Sequence, residues 1–142
     1  MRHRKRTLKL GRTSSHNQAM IANMLKALIS QERIQTTVAK AKELRRHADR
    51  AITLAKRNSL ESRRQIVSKL RIRYNALTPK EARAVKGGDE KALNQDRKVV
   101  SKLIDTLGPR FANRQGGYTR IVRLGSRVGD RSPVCLIEFL SE

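Results

Sequence analysis

The chain has 142 residues, which suits a single domain with its own buried core, and its one cysteine excludes an internal disulfide. It carries 33 Lys and Arg residues against 12 Asp and Glu, a formal net charge of +21. Such an excess of like charge destabilises a compact body through self-repulsion and favours a polyanionic partner, and the apolar runs are too short to span a bilayer.

The first residues, MRHRKRTLKLGR, belong to a basic arm that we place at 1–13. Six of these twelve residues are Arg or Lys, and the first acidic residue of the chain is Glu32. Leu8 and Leu10 are too few to form the apolar face of a transit peptide, so we interpret the arm as part of the mature protein. An arm of this composition is expected to stay disordered until it binds a partner.

A helix and a strand follow the arm. Ser14 or Ser15 is the expected cap of the first helix. RIQTT, at 33–37, is short and rich in Ile and Thr, which predicts a strand, and Thr36 or Thr37 then caps a second helix. Apolar residues of the first helix recur on one face, namely Met20, Ile21, Met24, Leu25, Leu28 and Ile29.

The second helix, predicted to end near Arg57, has two distinct faces. At about 100° per residue, four basic side chains lie on the arc opposite the apolar face, and Glu43 and Asp49 are the only acidic residues of the helix. Two interpretations of this arc stay open, a solvated surface or a contact to phosphate groups. The basic arc comprises Lys42, Arg46, Arg50 and Arg57, and the apolar face comprises Val38, Ala41, Leu44, Ala48, Ala51, Ile52 and Ala55.

Three further helices are predicted. The first is SRRQIVSKLRIRY at 62–74, and the second opens with the capping box TPKE at 78–81 and is ended by Gly87 and Gly88. The third is expected to end at the pair Gly108-Pro109. The inward residues are Ile66, Val67, Leu70 and Tyr74 in the first of these helices and Val99, Val100, Leu103, Ile104 and Leu107 in the third.

The apolar period then changes from helical to two-fold. GGYTRIVRLG and SPVCLIEFL read as two strands, joined as a hairpin by a loop over 125–132. A two-stranded hairpin alone is marginally stable, so the strand at 33–37 is expected to join it. The predicted fold class is α+β, with a small three-stranded mixed sheet packed against helices in two layers.

No pattern in the sequence is typical of a catalytic or metal site. The three histidines, His3, His16 and His47, lie in separate segments without Cys, Asp or Glu at metal-ligand spacing. No phosphate-binding loop, HExxH motif or nucleophile elbow is present. We therefore predict no cofactor, metal or small-molecule substrate, and no residue pattern argues for an enzyme. His16 is expected to be a phosphate contact or a surface residue.

The aromatic content narrows the choice of polyanion. The only rings are those of Tyr74, Phe111, Tyr118 and Phe139, too few for a base-stacking platform or for a membrane-surface helix. Phosphate contact to structured nucleic acid fits better, because it needs charge and shape rather than rings. Composition leaves open a DNA-binding nucleoid protein and, less readily, an RNA-processing enzyme.

A pair of glycines precedes the first hairpin strand. Gly116 and Gly117, flanked by Arg114 and Arg120, are interpreted either as a flexible entry to the strand or as a place where backbone N–H groups approach a phosphate.

Several stretches resemble bacterial large-subunit ribosomal protein L-seventeen. They occur in the order of that family from the N-terminus to the last strand, which makes the resemblance specific. The matching stretches are MRHRK at 1–5, KLGR at 9–12 with His16, ERIQTTVAKAKELR at 32–45, ITLAKR at 52–57, GPRFANR at 108–114, GGYTRI at 116–121, Gly129-Asp130 and a final IEFL.

The resemblance implies a non-catalytic protein that binds 23S rRNA near the exit of the peptide tunnel, beside neighbouring ribosomal proteins, with one copy on each cytoplasmic ribosome and no membrane contact. It also implies a helix, a strand, further helices and two strands, in agreement with the predicted order. The candidate RNA-binding residues are Arg2, His3, Arg4, Lys5, Arg6, Lys9, Arg12, His16, Lys40, Lys42, Arg46, Arg50, Arg114, Gly116, Gly117, Arg120 and Arg127.

One segment departs from the family pattern. Residues from about 71 to 94, which include TPKEARAVKGGDEKALN, are predicted to be an insertion within an otherwise single domain of 1–142. A surface elaboration is the expected role of this segment.

Overall fold

The computed structural model describes residues 8, 10–72, 77–88 and 94–141. The elements are α1 (Ser14–Gln31), β1 (Arg33–Thr37), α2 (Val38–Arg57), α3 (Leu60–Lys69), α4 (Pro79–Lys86), α5 (Gln95–Ser101), β2 (Thr119–Ser126) and β3 (Pro133–Phe139). Beyond α5 the helix continues as a π-helical turn, Lys102–Leu107, and a last α-helical turn, Gly108–Arg110.

Threonines with extended backbone angles precede the first two helices. Thr13 is the N-cap of α1, so the helix begins at Ser14 and neither predicted serine is its cap. Thr37, one of the two predicted residues, is the N-cap of α2. Glu32 ends α1 in the left-handed conformation, with φ 63°, and its N–H donates to the carbonyl of Leu28 at 2.8 Å. This tight end turns the chain directly into β1.

Helix α3 is shorter than its apolar period predicted. It ends at Lys69, and Arg71 then takes the left-handed conformation with φ 51°. The N–H of Ile72 donates to the carbonyl of Val67 at 3.1 Å, which closes a helix-ending turn. Such a turn usually holds glycine, and an arginine there gave no sign of a helix end. Tyr74 lies outside the described residues.

The next two predicted helices have different outcomes. The capping box before α4 is confirmed, since Thr78 and Glu81 bond each other's backbone N–H. The prediction that Gly108-Pro109 ends the last helix is wrong, because the helix continues to Arg110. The π-helical turn changes the hydrogen-bond register, so Pro109 stands in the first turn of a new segment, where its missing N–H is not needed.

The three strands form one sheet in the order β1-β3-β2. Both pairings are antiparallel, so the predicted mixed sheet is wrong, while the α+β class and the three strands are confirmed. β1 and β2 do run in the same direction, but β3 lies between them, and no parallel pair forms. The loop after Ser126 is closed by a hydrogen bond from the N–H of Arg127 to the carbonyl of Ser132, as a hairpin requires.

One face of the sheet packs against the helices and encloses the core. Cys135, Ile137 and Phe139 are the buried residues of β3, and the ring of Phe111 lies 5.2 Å from Tyr118 and 6.3 Å from Phe139 between centroids. The predicted inward residues of the last helix are buried, as are those of α2 apart from the partly buried Val38. In the described part of the chain, no helix has the length and apolarity needed to cross a membrane.

Candidate nucleic-acid interface

The arm contributes one described cation, Arg12, beside the start of α1. Its guanidinium donates to Nε2 of His16 at 2.9 Å, and both side chains are exposed. The two predicted residues therefore form one polar group at the surface. The other predicted residues of the arm, Arg2, His3, Arg4, Lys5, Arg6 and Lys9, lie outside the described residues.

Helix α2 displays a basic surface because its opposite side is held in the core. Leu44 and Ile52 are fully buried, which fixes the rotation of the helix and leaves Lys42, Arg46 and Arg50 exposed. Glu43 is only 5 % exposed and lies beneath this surface, with its carboxylate 3.4 Å from Arg46. The acidic residue that neighbours the basic arc in sequence is thus turned inward, and the outer surface stays strongly positive.

The glycine pair lies in a turn that is tied to α2. Gly116 and Gly117 have φ values of 123° and 60°, which explains the residue type without any close neighbour, since a Cβ at either position meets open space. The carbonyl of Arg114 accepts hydrogen bonds from Lys56 at 2.7 Å and from the hydroxyl of Tyr118 at 3.1 Å. The turn is therefore anchored at the surface near the end of α2.

The N–H that follows the glycine pair already has an acceptor within the protein. Tyr118 donates it to Oδ1 of Asp49 at 3.3 Å. Burial raises the pKa of Asp49, and the hydrogen bond from Tyr118 opposes that rise. This N–H holds the strand to α2, so a phosphate at the turn would have to use other groups.

Two predicted cations of the hairpin have carboxylate partners in the folded chain. Arg120 donates to Oε1 of Glu138 at 2.7 and 2.9 Å, across the pairing of β2 with β3. Arg127 lies 3.3 Å from Asp130 within the hairpin loop. Their positive charge is therefore partly compensated, as is that of Arg46 on α2, whereas Lys42 and Arg50 form no ion pair within 4.0 Å among the described residues.

Two clefts bring together cations that are distant in sequence. A groove of about 700 Å³ beside β1 is lined by Arg12, Arg33 and Lys40. A larger cleft of about 890 Å³, where α1, α2 and the end of α3 meet, is lined by Arg12 and Arg50. Arg12 thus stands between the two clefts and joins them into one basic surface.

Sequence reasoning missed three groups that line the larger cleft. His47, Lys69 and Arg71 reach it from α2 and from the turn after α3. The basic arc on α2 could have been extended to His47, which lies about 60° beyond Arg50 in the helical projection. No local signal marked Lys69 and Arg71, because the cleft is formed by the packing of three elements and Arg71 lies in the unpredicted left-handed turn.

The described residues hold no cluster suited to metal binding. No group of three or more His, Cys, Asp or Glu in this part of the chain is arranged to bind a metal ion. Burial raises the pKa of the Cys135 thiol, partly opposed by the charge of Arg123, and keeps the thiol protonated. What the surface offers chemically is positive charge in clefts, which suits phosphate groups.

Comparison with known proteins identifies the family. The model of the family "Ribosomal protein L17" matches residues 20–140. The "Large ribosomal subunit protein bL17" of Protochlamydia amoebophila is 62 % identical over 142 residues, covering all of both chains. Those of Chlamydia abortus and Chlamydia trachomatis serovar L2 are each 60 % identical over 141 residues, with at least 99 % of both chains covered. The chain therefore belongs to the ribosomal protein L17 family.

Proposed function

We propose that this protein is a non-catalytic component of the large ribosomal subunit that binds 23S rRNA near the exit of the peptide tunnel. In this role it supports subunit assembly and translation on cytoplasmic ribosomes, in one copy beside neighbouring large-subunit proteins. Family membership supports the large-subunit assignment. The rRNA contact and the tunnel-exit position rest on the resemblance of the sequence blocks and on the surface charge.

The observation that carries the rRNA contact is the basic surface of α2. Lys42, Arg46 and Arg50 are exposed on a helix whose rotation is fixed by a fully buried face, and the neighbouring Glu43 is turned inward. A rigid row of cations with little acidic compensation is suited to phosphate groups at fixed positions. Such contacts position the protein on a nucleic acid and carry no base sequence information, so RNA shape would select the site.

Sedimentation of tagged full-length protein from a native lysate tests this function. The gradient is run at raised salt with intact RNA, since raised salt weakens loose phosphate contacts steeply. Stoichiometric retention in the large subunit, with crosslinks to 23S rRNA, is the expected result. Release to the top of the gradient, or migration with DNA, would contradict the proposal and favour a nucleoid protein.

A matched pair of variants tests the role of α2. Replacing Lys42, Arg46 and Arg50 by Gln should reduce retention in the large subunit at raised salt. The control carries the same loss of three charges on α4, by replacing Lys80, Arg83 and Lys86, which are all exposed. Equal losses in both variants would show that only total charge matters.

A further inference from the structure

The larger cleft, which we name the α1–α3 cleft, gathers positive charge from three separate elements. Arg12 approaches it from the arm, His47 and Arg50 from α2, and Lys69 and Arg71 from the end of α3 and the turn behind it. The cleft is open to solvent and has a volume of about 890 Å³, ample for a phosphate group with its flanking sugars. Convergence of this kind does not follow from amphipathic folding, which would spread cations over the surface.

Lys69 lies close enough to Arg50 and to His47 for the positive charges to disfavour one another. Burial and then the charge of Arg50 lower the pKa of Lys69. Burial also lowers the pKa of His47, and the charges of Lys69 and Arg46 lower it further, against the opposing effect of Glu43. The free protein therefore holds Lys69 in a position that opposes its own charge.

The acidic group of the region, Glu43, offsets this repulsion at His47 but forms no ion pair with Lys69 or Arg50. Of the described residues that line the cleft, only Glu43 carries a carboxylate, and its two oxygens lie 3.4 Å from Arg46 and 3.7 Å from His47. Over the described ranges, no carboxylate forms an ion pair with Arg50, Lys69 or Arg71 within 4.0 Å. Among the described residues that line the cleft, positive charge therefore outweighs negative charge.

Arg71 reaches the cleft through an unfavourable backbone conformation. Its φ of 51° lies in the left-handed region, which disfavours a side chain with a Cβ. From there the guanidinium crosses to α1 and donates to the carbonyl of Ser15 at 3.2 Å. Glycine would fit this turn better, so the strain is tied to the placement of a cation and points to a function for it.

We propose that the α1–α3 cleft is a specific site for a backbone phosphate of RNA, with Arg50, Lys69 and Arg71 as its ligands and Arg12 at its mouth. The proposal rests on the proposed rRNA-binding function and adds a defined site to it. A phosphate removes the repulsion between Lys69 and Arg50 and accepts charge-assisted hydrogen bonds from both. The site orients the junction of α1, α2 and α3 on the RNA, whereas the exposed arc of α2 supplies general attraction.

This assignment predicts opposite effects on stability and on binding. In Lys69→Gln, the free full-length protein should keep or raise its Tm, because the repulsion is gone, while affinity for in vitro transcribed 23S rRNA falls about tenfold. Arg71→Gly should lose affinity to a similar degree, because it removes the cation, and its Tm should change little, because relief of the left-handed strain offsets the lost hydrogen bond to Ser15. The control is Arg64→Gln, which removes one charge from an exposed position of α3 and should cost less than about threefold.

Filter binding at several salt concentrations and thermal unfolding with inorganic pyrophosphate distinguish the outcomes. Loss of affinity with an unchanged or higher Tm supports the site, and each lost phosphate contact should flatten the salt dependence by about 0.7–0.9 in slope. Unchanged affinity in both cleft variants overturns it while leaving the proposed function intact. A marked fall of Tm in both also overturns it, by showing a structural role.

The measurement with pyrophosphate tests the phosphate site independently of the proposed rRNA-binding function. If the wild type shows no preference for 23S rRNA, the proposed function fails. A rise of the wild-type Tm with pyrophosphate that is absent in Lys69→Gln then still supports a phosphate site in the cleft. Equal rises in the wild type and the variant overturn the site.

Discussion

Two regions of the molecule bring together cations from distant segments, and they differ in whether a carboxylate pairs with those cations. At the end of α1, the carboxylate of Glu32 lies 2.6 Å from Arg110 and 2.9 Å from Lys102, so both cations have a partner. We name this group the Glu32 cluster. In the α1–α3 cleft, the charge of Arg50 acts on Lys69, and neither cation forms an ion pair within 4.0 Å among the described residues. Within a chain of net charge +21, paired cations join elements of the fold, and cations left without an acid are available to an outside anion.

The Glu32 cluster connects α1, the last helix and the central strand β3. Lys102 also donates to the carbonyl of Ser30 at 2.9 Å, and the carbonyl of Glu32 accepts from the N–H of Phe139 at 2.9 Å. The end of α1, the last helix and the central strand therefore meet at one residue. Hydrogen bonds from Arg110 and then Lys102 lower the pKa of Glu32 to about 2.

The largest expected effect comes from breaking the scaffold on which both regions depend. Leu44→Asp places a carboxylate at a fully buried position of α2 without a partner. Its cost of several kcal/mol is comparable with the whole stability of a small domain, so the chain should unfold. Circular dichroism and thermal unfolding of the purified protein check this. A stable, soluble variant would show that the faces of α2 are assigned in reverse.

The second effect concerns binding alone. Replacing Arg4, Lys5 and Arg6 of the arm by Gln should lower affinity for 23S rRNA by about 100-fold at moderate salt, since three phosphate contacts are lost. The Tm of the isolated protein should stay unchanged. Retention in large subunits and the thermal midpoint are measured on the same preparations. Unchanged retention, or collapse of the domain, would contradict the role given to the arm.

The third change removes the carboxylate from the Glu32 cluster. Glu32→Gln leaves two cations with a neutral partner and should lower the free energy of unfolding by about 1–2 kcal/mol, after allowance for partial exposure. Urea unfolding measures the loss. Asp105→Asn, at an exposed position of the last helix, is the matched control and should change stability by less than about 0.5 kcal/mol. Equal losses of unfolding free energy in the two variants would show that Glu32 stabilises the fold no more than an exposed carboxylate does.

The same cluster predicts a pH dependence of stability. The pKa of Glu32 is lowered from 4.5 to about 2 on folding, so between these values the unfolded chain binds more protons than the folded one. Its stabilising contribution is therefore complete above pH 4.5 and is lost as the pH falls towards 2. Urea midpoints between pH 3 and 6 should fall more steeply with acid in the wild type than in Glu32→Gln. Parallel curves would contradict the assignment.

The smallest effect is expected at the sheet surface. Arg120→Gln removes an ion pair whose arginine side chain is 62 % exposed, and exposed pairs contribute about 0–1 kcal/mol. The unfolding free energy should therefore change by less than about 0.5 kcal/mol. A larger loss would place this pair with the Glu32 cluster rather than with the surface charges.

Local patterns predicted the parts of the fold that depend on local chemistry. The apolar face of α2 and the capping box at Thr78 are set by residues within one or two helical turns, and both are confirmed. The end of α3 at Arg71 and the continuation through Pro109 were missed, because neither follows from local propensity. The turn at Arg71 is accompanied by a hydrogen bond to the distant Ser15, and the continuation through Pro109 follows the π-helical change of hydrogen-bond register.

The residues of the candidate interface also fall into those that local sequence predicted and those that it did not. Arg50 was predicted from helical periodicity, since exposure on a helix is a local property. Lys69 and Arg71 could not be predicted, because a cleft is made by the packing of three elements and leaves no trace in any one of them. The ion pair of Arg120 with Glu138 could not be predicted either, because it depends on the register between β2 and β3.

The central position of β3 in the sheet determines when the sheet can form during synthesis. Within the described ranges, the central strand Pro133–Phe139 follows all the other elements, and both edge strands pair with it. Helices α1 and α2 can meet before β3 is synthesised, but β1 has no strand to pair with until β3 has left the ribosome that makes it. The sheet can therefore form only after Phe139 has been synthesised, and a chain cut short before β3 lacks the middle of its sheet rather than an edge.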